Sequence, residues 1–197
     1  MTILVTGSSG HLGEALVRHL RAQGTAVRGL DIKPSAFTSV VGSITDRSVV
    51  ERAMDGVAVV FHTATLHKPH VATHPPGRFV DTNINGTLTL LESAVANKIS
   101  AFVFTSTTSA FGAALTAGQD EAAWITEDVH PVPKNIYGVT KVAAEDLCEL
   151  YHRKHGLPVV VLRTSRFFPE DDDDPAKRAA FALANMQAME LMYRRVD

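Results

Sequence analysis

The sequence predicts an α/β fold built on a doubly wound parallel sheet, and three observations carry that expectation. Short, continuously apolar, β-branched runs recur along the chain, segments of helical period separate them, and a glycine triplet fills the first strand-to-helix junction. Tight turns cannot join parallel neighbours, so strands alternating with helices of this length imply right-handed crossovers. With 197 residues the chain can hold one full core and the start of a second.

The elements follow in order. Thr2-Ile3-Leu4-Val5-Thr6 suits a strand buried on both faces. Leu12, Ala15, Leu16 and Leu20 then recur at helical spacing until Gly24 stops the helix. Residues 26–30 read as a second strand, ending at Asp31 before a turn with Pro34, and residues 57–61 as a third. A long helix over 79–96 and a fourth strand over 101–105 come next. Residues 137–155 are helical, Gly156 ends them, and 157–162 supply the fifth strand. The run Asp171-Asp172-Asp173-Asp174 reads as a solvated loop before a helix that starts near Asp174 or Pro175. A metal site there would need the carboxylates to converge from a folded loop, and none is expected.

Composition narrows the functional classes. Hydrophobic residues make up 45% and charged residues 20%, as in a globular chain, and the net charge of −2 offers no electrostatic footprint for nucleic acid or an anionic membrane. One cysteine cannot make an internal disulfide, no apolar run has the length of a membrane span, and the first residues lack the pattern of a secretory signal. These features lead to the expectation of a cytoplasmic protein.

Gly7-Ser8-Ser9-Gly10-His11-Leu12-Gly13 places glycines at G-x-x-G-x-x-G spacing between the first strand and its helix. Such glycines permit a tight turn, close approach of a pyrophosphate and close packing of helix on strand, while the helix N-terminus offers N–H groups to phosphates. The spacing alone is equally that of a tight turn. Asp31, at the end of the second strand, sits where a carboxylate accepts the ribose hydroxyls of an adenosine. Its charge would repel a 2′-phosphate, which favours NAD over NADP, although the adjacent Lys33 could attract one. Asp31 also has the character of a turn-former ahead of Pro34.

Tyr137-Gly138-Val139-Thr140-Lys141 sets a phenol and an ammonium at i and i+4 on one helix face. A phenol with a pKa of about 10 is a poor base at neutral pH, and a neighbouring ammonium favours its ionised form. A solvated helix face gives the same pattern. The hydroxyl cluster Thr105-Ser106-Thr107-Thr108-Ser109, just past the fourth strand, lies where open α/β sheets bind ligands, or else caps a turn.

Together these motifs, with His62-Thr63-Ala64, Asn83-Ile84-Asn85-Gly86-Thr87 and Phe111-Gly112, resemble in order and register the extended short-chain dehydrogenase/reductase family, specifically its NAD-dependent epimerase/dehydratase group. The resemblance implies a Rossmann-type domain over 1–166 and, over 167–197, the start of a C-terminal substrate lobe that is mostly missing. It implies Thr107, Tyr137 and Lys141 as a catalytic triad, with Lys141 also holding a nicotinamide ribose. Cofactor contacts would come from Gly7, Gly10, His11, Leu12, Gly13, Asp31, Ile32, Ser43, Ile44, Thr63, Ala64, Thr65, Asn83, Thr105 and Ser106, besides Tyr137 and Lys141. Asn83 would also support the catalytic region from the central helix.

Departures from the family pattern fall at three places. Ser43 stands where many members carry an aspartate against adenine, and Phe111 replaces the usual tyrosine. Arg166 lies where sugar-nucleotide epimerases carry asparagine-proline, and a guanidinium there suits an anionic group. His67, Thr108 and Arg166 are therefore the candidate substrate contacts. His67, His70 and His74 have metal-like spacing, but Pro69, Pro75 and Pro76 argue against the regular helix it needs. Cys148 reads as a packed small hydrophobe, and Trp124 as a cover for the substrate site or a surface anchor.

The expected function is NAD-dependent hydride transfer at a hydroxyl or carbonyl carbon of a small polar substrate such as a sugar or nucleotide sugar. Alternatives are a nucleotide-sugar epimerase of the UDP-glucose 4-epimerase type with tightly bound NAD, and a non-catalytic NAD-binding sensor. The resemblance further implies a homodimer through the helices over 79–96 and 137–155.

Overall fold

The computed structural model describes residues 1–114 and 125–165, together with Ala179 and Leu183. Trp124, Arg166 and the aspartate run lie outside these residues, as does nearly all of the expected lobe over 167–197.

Six strands form one sheet: β1 (Thr2–Thr6), β2 (Ala26–Asp31), β3 (Val40–Val41), β4 (Val57–His62), β5 (Ala101–Thr107) and β6 (Val159–Thr164). Their order is β3-β2-β1-β4-β5-β6, and every pairing is parallel. The order reverses direction beside β1, so the crevice above the carboxyl ends of β1 and β4 is the topological switch point where such sheets bind ligands.

Helix α1 (His11–Ala22) packs Val17 with Ile3 and Val5 on one face of the sheet. The larger core lies on the other face, where Leu4, Val60, Phe102 and Phe104 meet residues of α2 (Arg47–Met54), α4 (Gly86–Ala96) and α5 (Ile136–His155). Leu4, Leu30, Val60 and Phe102 are fully buried, as the continuous apolar runs of a two-sided parallel sheet require. Asp46 starts α2 by accepting the Ser48 and Val49 N–H groups. Asn135 starts α5 by accepting the Gly138 N–H, and Gly156 ends it in the left-handed conformation.

Three features depart from the sequence expectations. Strand β3 has only two residues, too few for a period to show. The long helix begins earlier than residue 79, with α3 (Pro76–Phe79), and passes through a π-helical segment, Val80–Asn85, before continuing as α4. Strand β5 runs on to Thr107, so Ser106 and Thr107 belong to the strand, and the turn proper is a 3₁₀ segment, Thr108–Ala110. No helix among the described residues is long and apolar enough to cross a membrane.

Candidate active site

The glycine loop is shaped by close backbone approach. A Cβ at Gly13 would come 2.0 Å from the Gly7 carbonyl oxygen, and one at Gly7, where φ is +74°, would meet the Ala64 nitrogen at 2.7 Å. The loop is thus pressed against α1 and the segment after β4, and Gly10 caps α1 with no side-chain hydrogen bond. Asp31 accepts the Ser9 N–H at 3.0 Å and the Lys33 N–H at 2.9 Å, one on each carboxylate oxygen. It therefore braces the loop and forms its own turn, and each oxygen keeps a further lone pair for a ligand hydroxyl.

The other expected cofactor residues divide by position. The Thr63 hydroxyl donates to the Thr6 carbonyl at 2.6 Å, and the Ala64 N–H donates to the Thr6 hydroxyl oxygen at 3.3 Å, which fixes the loop after β4 beside the glycines. Ile32 is exposed, and Thr105 is half-buried on β5. Ser43 lines a polar cavity of about 310 Å³ with Thr45, Arg78, Asp81, Thr82 and Asn85. The Ile44 side chain is in the core against Gly86, where a Cβ would come within 2.6 Å of it.

Asn83 is buried in the π-helical segment with every side-chain hydrogen-bonding group engaged. Its oxygen accepts from the Thr65 hydroxyl (3.0 Å) and the Leu66 N–H (2.8 Å), and its nitrogen donates to the Leu66 carbonyl (2.9 Å) and to Thr140 (3.0 Å). It clamps the loop after β4 to α5.

Thr107, Tyr137 and Lys141 are all buried and converge at the carboxyl end of β5. A Cβ at Gly138 would come 2.9 Å from the Ser109 carbonyl, so glycine lets α5 press against the end of β5 and bring Tyr137 into hydrogen bonding with Thr107. The sequence expectation of a phenol made more acidic is not met in this structure. Burial raises the Tyr137 pKa, and the Thr107 hydrogen bond only partly opposes it. Lys141 places Nζ 4.0 Å from the Phe104 ring centroid, and burial lowers its pKa to about 7, offset in part by Cys148 and Glu145. Cys148 is packed, with its thiol pushed up to about 12 by burial.

Two networks were not legible from the motifs. His62 is buried between Thr6 (Nδ1 to Oγ1, 2.8 Å) and Thr87 (Nε2 to Oγ1, 3.0 Å), and the Thr87 hydroxyl donates to the Asn83 carbonyl. Thr87 must then accept from His62, so Nε2 carries the proton and Nδ1 accepts from Thr6. Burial and the neighbouring Lys141 hold this imidazole well below its usual pKa. The second network joins Ser106 and Arg163 to Glu145.

His67 is exposed and caps a 3₁₀ segment, Lys68–Ala72, so the prolines permit a short helical turn here. The His67 and His70 rings lie edge to face at 4.4 Å, yet no group of residues able to hold a metal occurs among the described residues. Thr108 is half-buried at the head of the other 3₁₀ segment.

Known proteins resemble this chain in sequence and fold. A short-chain dehydrogenase/reductase superfamily protein from Agrobacterium tumefaciens, solved with bound NAD, is 34% identical, with a TM-score of 0.74 over 83% of this chain and 48% of its own. Thermus thermophilus UDP-glucose 4-epimerase, solved with NAD, is 29% identical, with a TM-score of 0.73 over 83% of this chain and 54% of its own. The NAD-dependent glucose-6-phosphate dehydrogenase of Haloferax volcanii is 30% identical over 98% of this chain and 76% of its own length. The chain thus spans about half the length of the solved relatives. The model of the NAD dependent epimerase/dehydratase family matches residues 3–193, from the first strand through the glycine loop and the Tyr137 helix, and the chain belongs to that family.

Proposed function

We propose that this chain carries the cofactor-binding and proton-transfer half of an NAD-dependent oxidoreductase acting on a carbinol or carbonyl carbon. The observation that carries the reading is the meeting of Thr107, Tyr137 and Lys141 at the end of β5, in a sheet whose glycine loop and Asp31 flank the switch point. The loop suits a dinucleotide: Gly7 and Gly13 let it pack tightly between the N-terminus of α1 and the segment after β4, at the switch point, and Asp31 keeps acceptor capacity for ribose hydroxyls. NAD, when bound, supplies the hydride acceptor or donor at its nicotinamide. Ser106 already donates its hydroxyl to Glu145, so its part is to position the strand.

Tyr137 takes or gives the proton of the substrate hydroxyl, and Thr107, already bonded to the phenol, orients that oxygen. Lys141 supplies positive charge from the same helix face, available below its pKa of about 7 and falling away above it. The substrate class this reading favours is a sugar, sugar phosphate or nucleotide sugar, in line with the dehydrogenase and epimerase among the relatives. Val139 and Leu150 on α5, both exposed, suit the helix-pairing homodimer.

Calorimetric titration with NAD and NADP, followed by a panel of sugars and their derivatives with reduced-cofactor absorbance as readout, tests the reading. Binding of NAD, and turnover that Tyr137→Phe abolishes, are expected. Equal turnover by Tyr137→Phe would overturn the mechanism. Likeness to the Thermus epimerase supports a second reading, in which substrate is interconverted with no net NADH. A pure sensor would have no need of the buried Thr107–Tyr137–Lys141 set.

A further inference from the structure

Beneath the proposed catalytic residues lies a carboxylate that their chemistry does not use. Glu145 is 8% exposed on α5, one turn beyond Lys141 and two beyond Tyr137. Its Oε1 accepts the Ser106 hydroxyl from β5. Its Oε2 accepts from Arg163 on β6 through Nε at 3.1 Å and Nη2 at 2.8 Å. Ser106 and Arg163 are register partners on adjacent parallel strands, which is why both reach one carboxylate. Arg163 is held from its other side by the Phe111 ring, 5.1 Å from its Cζ.

A buried carboxylate is costly unless its partners are complete, and here both oxygens are engaged by a hydroxyl and a guanidinium fork. Such a fixture ties three elements together at one point. Ser106 immediately precedes Thr107, and Glu145 lies on the helix that bears Tyr137 and Lys141. The Ser106–Glu145 bond therefore sets the distance between the two halves of the proposed catalytic set. The groups facing Lys141 are His62 from β4, the Phe104 ring from β5, and Tyr137, Glu145 and Cys148 from α5. Arg163 stands behind Glu145, with Glu127 beyond it. Among these facing groups Glu145 is the one carboxylate, and burial opposes the charged forms of His62, Tyr137 and Cys148.

We propose that Glu145 is a positioning residue for the site: anchored by Ser106 and Arg163, its carboxylate holds β5 and α5 in the register that joins Thr107 to Tyr137, and its charge acts on the Lys141 amine one helical turn away. The proposal rests on the functional reading above for the roles of those three residues, but its test needs no cofactor or substrate.

Lysine and glutamate side chains isotopically labelled in the full chain are followed by NMR against pH, with Lys141→Met assigning the Lys141 resonance. In the wild type the Glu145 carboxyl carbon should show an inflection at the Lys141 midpoint, and a flat response there overturns the electrostatic role. Glu145→Gln should lower the Lys141 midpoint by about one pH unit, as loss of an opposite charge requires. Ser106→Ala, which leaves the charge in place, should keep that midpoint and instead shift the Tyr137 ring resonances. An unchanged midpoint in a folded Glu145→Gln protein, or unchanged Tyr137 resonances in Ser106→Ala, overturns the corresponding half of the proposal. If Glu145→Gln does not fold, the wild-type inflection and Ser106→Ala still decide both halves. Failure of the wild type to bind NAD would sink the functional reading and leave these titrations standing.

Discussion

The Asn83 side-chain nitrogen donates to the Thr140 hydroxyl oxygen at 3.0 Å, joining the π-helical segment to α5 in the buried interior. Thr140 passes the bond on to the Tyr137 carbonyl at 3.0 Å. Removal of the amide by Asn83→Ala strands polar groups of Leu66, Thr65 and Thr140 around a buried position. A loss of about 2–3 kcal/mol is expected, given the usual cost of leaving buried partners unsatisfied, and the midpoint of urea unfolding reads it.

Lys141 gives stability a pH dependence of definite sign. Its folded-state pKa is lowered from 10.5 to about 7, so between these values the unfolded chain binds more protons, and stability from this group rises with pH. Below about pH 7 the penalty for burying the charge is present in full. Lys141→Met should therefore stabilise the chain most at acid to neutral pH, on the order of a few kcal/mol, and the gain should fade toward pH 10.5. Urea unfolding of both proteins across that range checks it, and a constant difference would refute it.

Gly13→Ala should cost about 1–3 kcal/mol through overpacking, because its Cβ would have to displace the Gly7 carbonyl that now lies 2.0 Å away. Loop and helix must separate, so calorimetric NAD affinity should fall together with Tm. Retained affinity at unchanged Tm would show that the loop accommodates a side chain.

Asp31→Ser removes the carboxylate while Lys33 remains beside it. Loss of charge-assisted bonds to a ribose should weaken NAD by about tenfold or more, and NADP should lose less because the repulsion of its phosphate also disappears. The ratio of the two dissociation constants is the measurement. The Ser9 and Lys33 N–H groups lose their acceptor as well, so a circular dichroism melt separates loop collapse from lost recognition.

The sheet was legible because β1, β4, β5 and β6 each contain an unbroken apolar run, interrupted in β2 by Arg28, and the glycine loop because a strand precedes its glycines and a helix follows them. Tyr137 and Lys141 stood out through one helical turn of separation. Glu145 did not: Ser106 is 39 residues from it and Arg163 is 18, and only the β5–β6 register places them side by side. His62 was hidden for a related reason. A histidine at the end of an apolar run gives no sign that Thr6 and Thr87, 56 and 25 residues away, will hold its two nitrogens. Burial raises the Tyr137 pKa, and helical spacing, which reports the proximity of charges, says nothing of burial.

The π-helical turn at Val80–Asn85 acts as a phase shifter in an otherwise continuous rod from Pro76 to Ala96. The wider turn changes the phase between the helix before it and the helix after it; Phe79 and Leu90 are both fully buried, and Asn83 turns toward Leu66 and Thr140 at the seam. Deleting one residue from the segment would restore regular pitch and swing either Asn83 or the whole of α4 out of phase with the core. The tolerance of this helix to insertion or deletion is therefore set by the amide at its seam.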